Sequence, residues 1–112
     1  MNPETFSAAA ERHLPAALDL LRQLVAVNSF TANADGVAEV ARITAEAFAL
    51  LGFSSAFVPC ATPQAGPHLL LSKPGEGSPV VLVTHSDTVF PPEEEESNDF
   101  RWDERPSEGR IY

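Results

Sequence analysis

An imidazole and a carboxylate two residues apart, His85 and Asp87, sit in the segment Thr84-His85-Ser86-Asp87-Thr88-Val89. The apolar run Pro79-Val80-Val81-Leu82-Val83 precedes it, so both groups are expected where a strand runs out. On an extended backbone, residues two apart leave the same face. A carboxylate so placed can accept the second ring N–H of a metal-bound histidine, fixing its tautomer and raising its basicity. Metal chemistry is the activity this spacing suggests. A His near an Asp also occurs as a plain surface pair, and the triplet alone does not separate the two readings.

No other residue is so well placed. His13 lies beside Glu11 and Arg12 and is expected to face solvent, while His68 follows Pro67 as an ordinary opening to a strand. Cys60 is the only cysteine, so no intrachain disulfide can form, which fits a reducing compartment. Ser29 and Ser86 lack the Gly-x-Ser-x-Gly setting of a nucleophile elbow. Asp99, Asp103 and the run Glu93-Glu94-Glu95-Glu96 are expected to be solvated loop residues. Zinc takes about four ligands in a structural site, or three and a water in a catalytic one. One well-placed imidazole does not make a site, so further ligands must come from residues outside this sequence.

The elements that must position His85 are legible in the periodicity. Leu14, Leu18, Leu21 and Val25 repeat at steps of three and four, with Leu20, Leu24 and Val27 widening the stripe, which predicts a core-facing helix from about Pro3 to Val27. Pro15 falls inside it and predicts a kink or a fresh helix start. A second helix is predicted from about Asp35 to Leu51, with Val37, Val40, Ala41, Thr44, Phe48 and Leu51 on one face and Gly52 as its C′ residue. Three strands follow, Ser55–Pro59, His68–Ser72 and Val80–Thr84, the first two as antiparallel neighbours and the third covered on both faces. Gly66-Pro67 and Pro74-Gly75-Glu76-Gly77 read as turns, and Gly109 as a turn glycine feeding a new strand at Arg110-Ile111-Tyr112.

A length of 112 residues allows one domain and one modest core, and 44% hydrophobic with 21% charged residues is ordinary for a globular chain. The net charge of −9 argues against a nucleic-acid partner, which would need a basic surface. The first residues lack the pattern of a secretory signal, and the longest apolar runs fall far short of a membrane span. A soluble, cytoplasmic protein is the expectation.

Val81-Leu82-Val83-Thr84-His85-Ser86-Asp87-Thr88-Val89-Phe90-Pro91 resembles the first metal-binding signature of the M20 metallopeptidases. That family includes glutamate carboxypeptidases, acetylornithine deacetylase and succinyl-diaminopimelate desuccinylase. The similarity extends to Leu20–Val25, Asn28-Ser29, Asn33, Gly36 and Leu50-Leu51-Gly52-Phe53, and downstream to Asn98–Trp102 and Gly109–Tyr112. Where the family often has glycine before the histidine, this chain has Thr84.

The resemblance implies the N-terminal part of a mixed-sheet α/β/α, zinc-peptidase-like catalytic domain. Residues 1–112 would be a partial catalytic domain, with the lid or dimerisation domain absent. It implies that His85 is a metal ligand and that Asp87 orients or tunes it, with the bridging aspartate, the general base and the remaining ligands beyond Tyr112. The complete enzyme would use two Zn2+ ions, with Co2+ or Mn2+ as alternatives. It would cleave a C-terminal peptide bond or an N-acyl amino acid with a metal-activated water. The 112 residues alone are expected to be inactive, and a homodimer to need the missing domain. The alternative is a non-catalytic α/β remnant or interaction module without metal chemistry.

Overall fold

Helix α1 spans Pro3–Val25 and begins on Asn2, whose Oδ1 accepts the Thr5 amide at 2.8 Å. Residues 2–112 are described by the computed structural model. The helix runs unbroken through Pro15, so no second helix starts there. Pro15 removes one N–H to the carbonyl of Glu11, and both residues are exposed, which leaves that carbonyl to water. Leu18, Leu20, Leu24 and Val25 are half-buried, whereas Leu14 and Leu21 remain exposed. The predicted apolar stripe is therefore only partly covered.

Helix α2, Ala34–Ala49, carries the core. Among the described residues, Val37, Val40, Ala41 and Ala45 are the buried hydrophobic ones, all from this one helix. Asn33 caps its start by accepting the Gly36 amide at 3.2 Å. At its end Phe53 N–H donates to the Phe48 carbonyl and Gly52 N–H to that of Ala49. With Gly52 at φ 82°, this is a Schellman closure with Gly52 at C′. The rings of Phe48 and Phe53 meet edge-on at 5.3 Å across the closure.

Strands β1 (Ser54–Val58) and β2 (His68–Ser72) pair antiparallel, with Ser54 opposite Ser72 and Val58 opposite His68. The hairpin lies against α2. Helix α3 (Pro92–Ser97) follows, then β3 (Glu104–Arg105), a 3₁₀ turn at Pro106–Glu108 and β4 (Arg110–Ile111). Gly109, at φ 62°, turns the chain into β4, which pairs antiparallel with β3. The chain is thus mixed α/β.

Three expectations are corrected. Val80–Thr84 is not a strand: no partner lies alongside it, and Val80, Val81, Leu82 and Val83 are 86%, 78%, 90% and 92% exposed. An apolar run becomes a strand only when another edge takes up its N–H and C=O groups. Among the described residues, the mixed sheet is replaced by two separate two-stranded antiparallel sheets, with one parallel bridge between Phe30 and Thr88. The glutamate run is a short helix, because Pro92 is preset for a first turn and Glu93–Glu95 favour the positive helix start. The radius of gyration, 16.5 Å, exceeds the roughly 13 Å of a compact domain of this length. No helix among the described residues is long and apolar enough to cross a membrane.

Candidate metal centre

The turn between α1 and α2 positions the segment that carries His85. Asn28 organises this turn with its side chain and carbonyl together. Its Oδ1 accepts the Phe30 amide at 3.1 Å, its Nδ2 donates to the Phe90 carbonyl at 3.0 Å, and its own carbonyl accepts Asn33 Nδ2 at 2.8 Å. A Cβ on Gly36 would overlap that same carbonyl, so the residue there must be glycine. The buried Ser29 offers its carbonyl to Thr88 N–H at 2.9 Å, and the Thr88 carbonyl accepts Thr31 N–H at 3.2 Å. Two backbone bonds thus clasp the site segment to the turn, immediately after Asp87.

The two candidate residues face each other. His85 Nδ1 lies 3.0 Å from the Asp87 carbonyl and 3.3 Å from its Oδ1. Both are acceptors, so in the neutral ring Nδ1 carries the proton and Nε2 keeps its lone pair. The His85 side chain is 83% exposed, which leaves Nε2 open to solvent. The other carboxylate oxygen, Oδ2, accepts the Thr31 hydroxyl at 2.6 Å. That bond is the main reason the Asp87 carboxyl sits below its usual range. Slight desolvation opposes it, while the residue's own backbone and then His85 add to the lowering. Asp87 is an ionised acceptor at neutral pH.

Chemically, the arrangement offers one oriented imidazole donor with a carboxylate behind it. Among the described residues, no group of three or more His, Cys, Asp or Glu side chains gathers to enclose an ion. His13, on α1, and Cys60, in the loop after β1, join no such cluster. The residues fit one corner of a metal site and do not close it. A groove of about 450 Å³ lies elsewhere, lined by Arg22, Val25, Glu95, Glu96, Phe100 and Trp102. There Arg22 lies over the Trp102 ring at 5.3 Å and pairs with Glu104, which also accepts the indole N–H at 2.7 Å.

Sequence reasoning singled out His85 and Asp87 but passed over Thr31 and the bridging role of Asn28. The usable signal was the cluster Asn28-Ser29, Asn33 and Gly36, side-chain cap formers and a glycine packed into one short turn. Compared with known proteins, the chain matches no family model, no curated protein and no solved structure.

Proposed function

We propose that this chain supplies the first metal-ligand segment of a dinuclear amidohydrolase of the M20 type. The observation that carries the reading is His85 turned with Nδ1 onto Asp87, which leaves Nε2 as a free donor. His85 would hold a zinc ion through Nε2, and Asp87 would keep the ring in that tautomer. Held there, zinc would supply a polarising charge and would activate water toward an amide carbonyl. The substrate class is a C-terminal peptide bond or an N-acyl amino acid, and the setting is cytoplasmic.

The exposed run Val80–Val83 supports the same reading from the side of packing. Four consecutive apolar residues in water are costly, at about 25 cal/mol per Å² of apolar surface. They suit a central strand flanked by others, which the continuation of such a domain would bring. The bridging ligand, the general base and the remaining donors would arrive with it, and without them the 112 residues do not hydrolyse substrate.

The test is the coding sequence after Tyr112. A nearby frame that encodes Gly-Pro-Gly followed by an aspartate is the expected result. The extended protein should then bind two zinc ions per chain, and His85→Ala should remove at least one. Unrelated sequence there would sink the reading and favour a non-catalytic α/β module, for which the same exposed run would be the contact surface.

A further inference from the structure

We propose that Thr31 is a positioning residue for this centre: its hydroxyl locks the Asp87 carboxylate in the rotamer that holds the His85 ring. The proposal rests on the metal reading of His85 for its purpose, but not for its test.

The geometry is a relay of three side chains. Thr31 Oγ1 donates to Asp87 Oδ2 at 2.6 Å, and Oδ1 of the same carboxylate faces His85 Nδ1 at 3.3 Å. A hydroxyl has one proton to give. The Thr88 carbonyl, at 3.3 Å, is the poorer acceptor, so the proton goes to the charged oxygen, the shorter and charge-assisted bond.

A carboxylate turns easily about its last torsion, whose energy profile is broad and nearly two-fold. The Asp87 side chain is 38% exposed, and among the described residues no salt bridge other than that to His85 reaches it. Without the hydroxyl, only the residue's own backbone N–H and the ring itself restrain the carboxylate. His85 itself is held by Asp87 alone, through the carbonyl and the carboxylate. Loss of the Thr31 hydroxyl therefore loosens one of the two acceptors that favour the Nδ1–H tautomer. The backbone carbonyl at 3.0 Å remains, so the loss is partial.

The placement of Thr31 does not depend on its own side chain. Its N–H donates to the Thr88 carbonyl, and Thr88 N–H donates to the Ser29 carbonyl. Two residues beyond Thr88, Asn28 Nδ2 holds the Phe90 carbonyl. The backbone clasp thus carries the hydroxyl to the carboxylate, and a side-chain substitution at Thr31 spares the clasp.

The experiment uses the metal-free chain at about pH 8. Ring 15N–1H correlation spectra report the tautomer of His85, and Thr88 amide exchange reports the clasp. Thr31→Val should raise the ratio of Nε2–H to Nδ1–H about threefold, as loss of one hydrogen bond of modest net strength would. Thr31→Ser should restore the original ratio, and Thr88 protection should be the same in all three chains. A Thr31→Val ratio equal to that of the unsubstituted chain overturns the proposal, as does a Thr31→Ser ratio equal to that of Thr31→Val.

Should Thr31→Val open the clasp, the unsubstituted chain still decides. A Thr31 hydroxyl proton that exchanges slowly in the cold and shows a cross-relaxation peak to the His85 ring supports the relay. Three-bond couplings that show the Thr31 χ1 angle averaged over its staggered wells overturn it. None of these readouts involves zinc, so the relay can fail while the metal reading stands, and the reverse.

Discussion

The Asn28 carbonyl occupies the space a Cβ on Gly36 would need, and the same atom accepts Asn33 Nδ2 at 2.8 Å. The first turn of α2 is thereby pressed against the turn that clasps the site segment. Gly36→Ala must push the two apart, because the nearest atom is the Asn28 backbone carbonyl oxygen and not the end of a flexible side chain. Overpacking of this kind costs about 1–3 kcal/mol. The urea midpoint of Gly36→Ala, followed by far-ultraviolet circular dichroism, should fall accordingly, and Thr88 amide protection should fall with it.

With the buried hydrophobic residues among those described confined to α2, the chain has little stability to spare. Its stability should lie at or below the low end of the roughly 5–15 kcal/mol of complete domains. Truncating Val40, which is 5% exposed, removes about 1–3 kcal/mol. Val40→Ala should therefore lower the urea midpoint by about 1 M. A cooperative transition above about 4 M urea in the unsubstituted chain would show a core far larger than these residues make.

Leu82 separates the isolated chain from the longer protein proposed. At 90% exposure it buries almost nothing here, so Leu82→Lys should leave the urea midpoint within error of the original. In a protein whose further strands flank Val80–Val83, the same lysine would be buried and should cost several kcal/mol. Equal midpoint shifts in the two chains would contradict the strand role.

On α2, Arg42 donates to Glu39 at 2.6 Å and also pairs with Glu46. The bond from Arg42 holds the Glu39 carboxyl below its ordinary range, with slight desolvation opposing and the guanidinium charge assisting. A lowered folded-state pKa gives stability that is present above the unfolded value and is lost as pH falls through the folded one. The pair is exposed, so the effect is small and shrinks with added salt. In Arg42→Gln, a carboxyl-carbon titration should show Glu39 returning upward toward its ordinary value.

Zinc titrated into the 112-residue chain should find no stoichiometric site tighter than roughly micromolar, since one imidazole and one engaged carboxylate cannot enclose the ion. A tight one-to-one site lost in His85→Ala would show that a carboxylate such as Asp99 swings in to complete it.

The local elements were legible in the sequence because their causes are local. The Gly52 closure of α2 and the antiparallel β1–β2 pairing each follow from a few neighbouring residues. Val80–Thr84 was misread because strand formation is a property of two segments, and an apolar run says nothing about whether an edge awaits it. The Glu93–Glu96 run was misread because charge outweighed the helix-start signal of Pro91-Pro92. At the site, the His85–Asp87 spacing was visible, whereas Thr31 was not. A threonine 56 residues away carries no mark of its partner until the turn folds onto the segment.

The clasp also has a place in time. Once α2 and the hairpin have formed, docking Asp87 and Thr88 onto the Ser29–Thr31 turn means closing a segment of about 15 residues, at an entropic cost of about 2 kcal/mol or more. A few hydrogen bonds, each worth about 0.5–1.5 kcal/mol net, repay little beyond that. The segment bearing His85 should therefore be the last part of the chain to dock and the first to detach, opening and reclosing many times within the life of one folded α2.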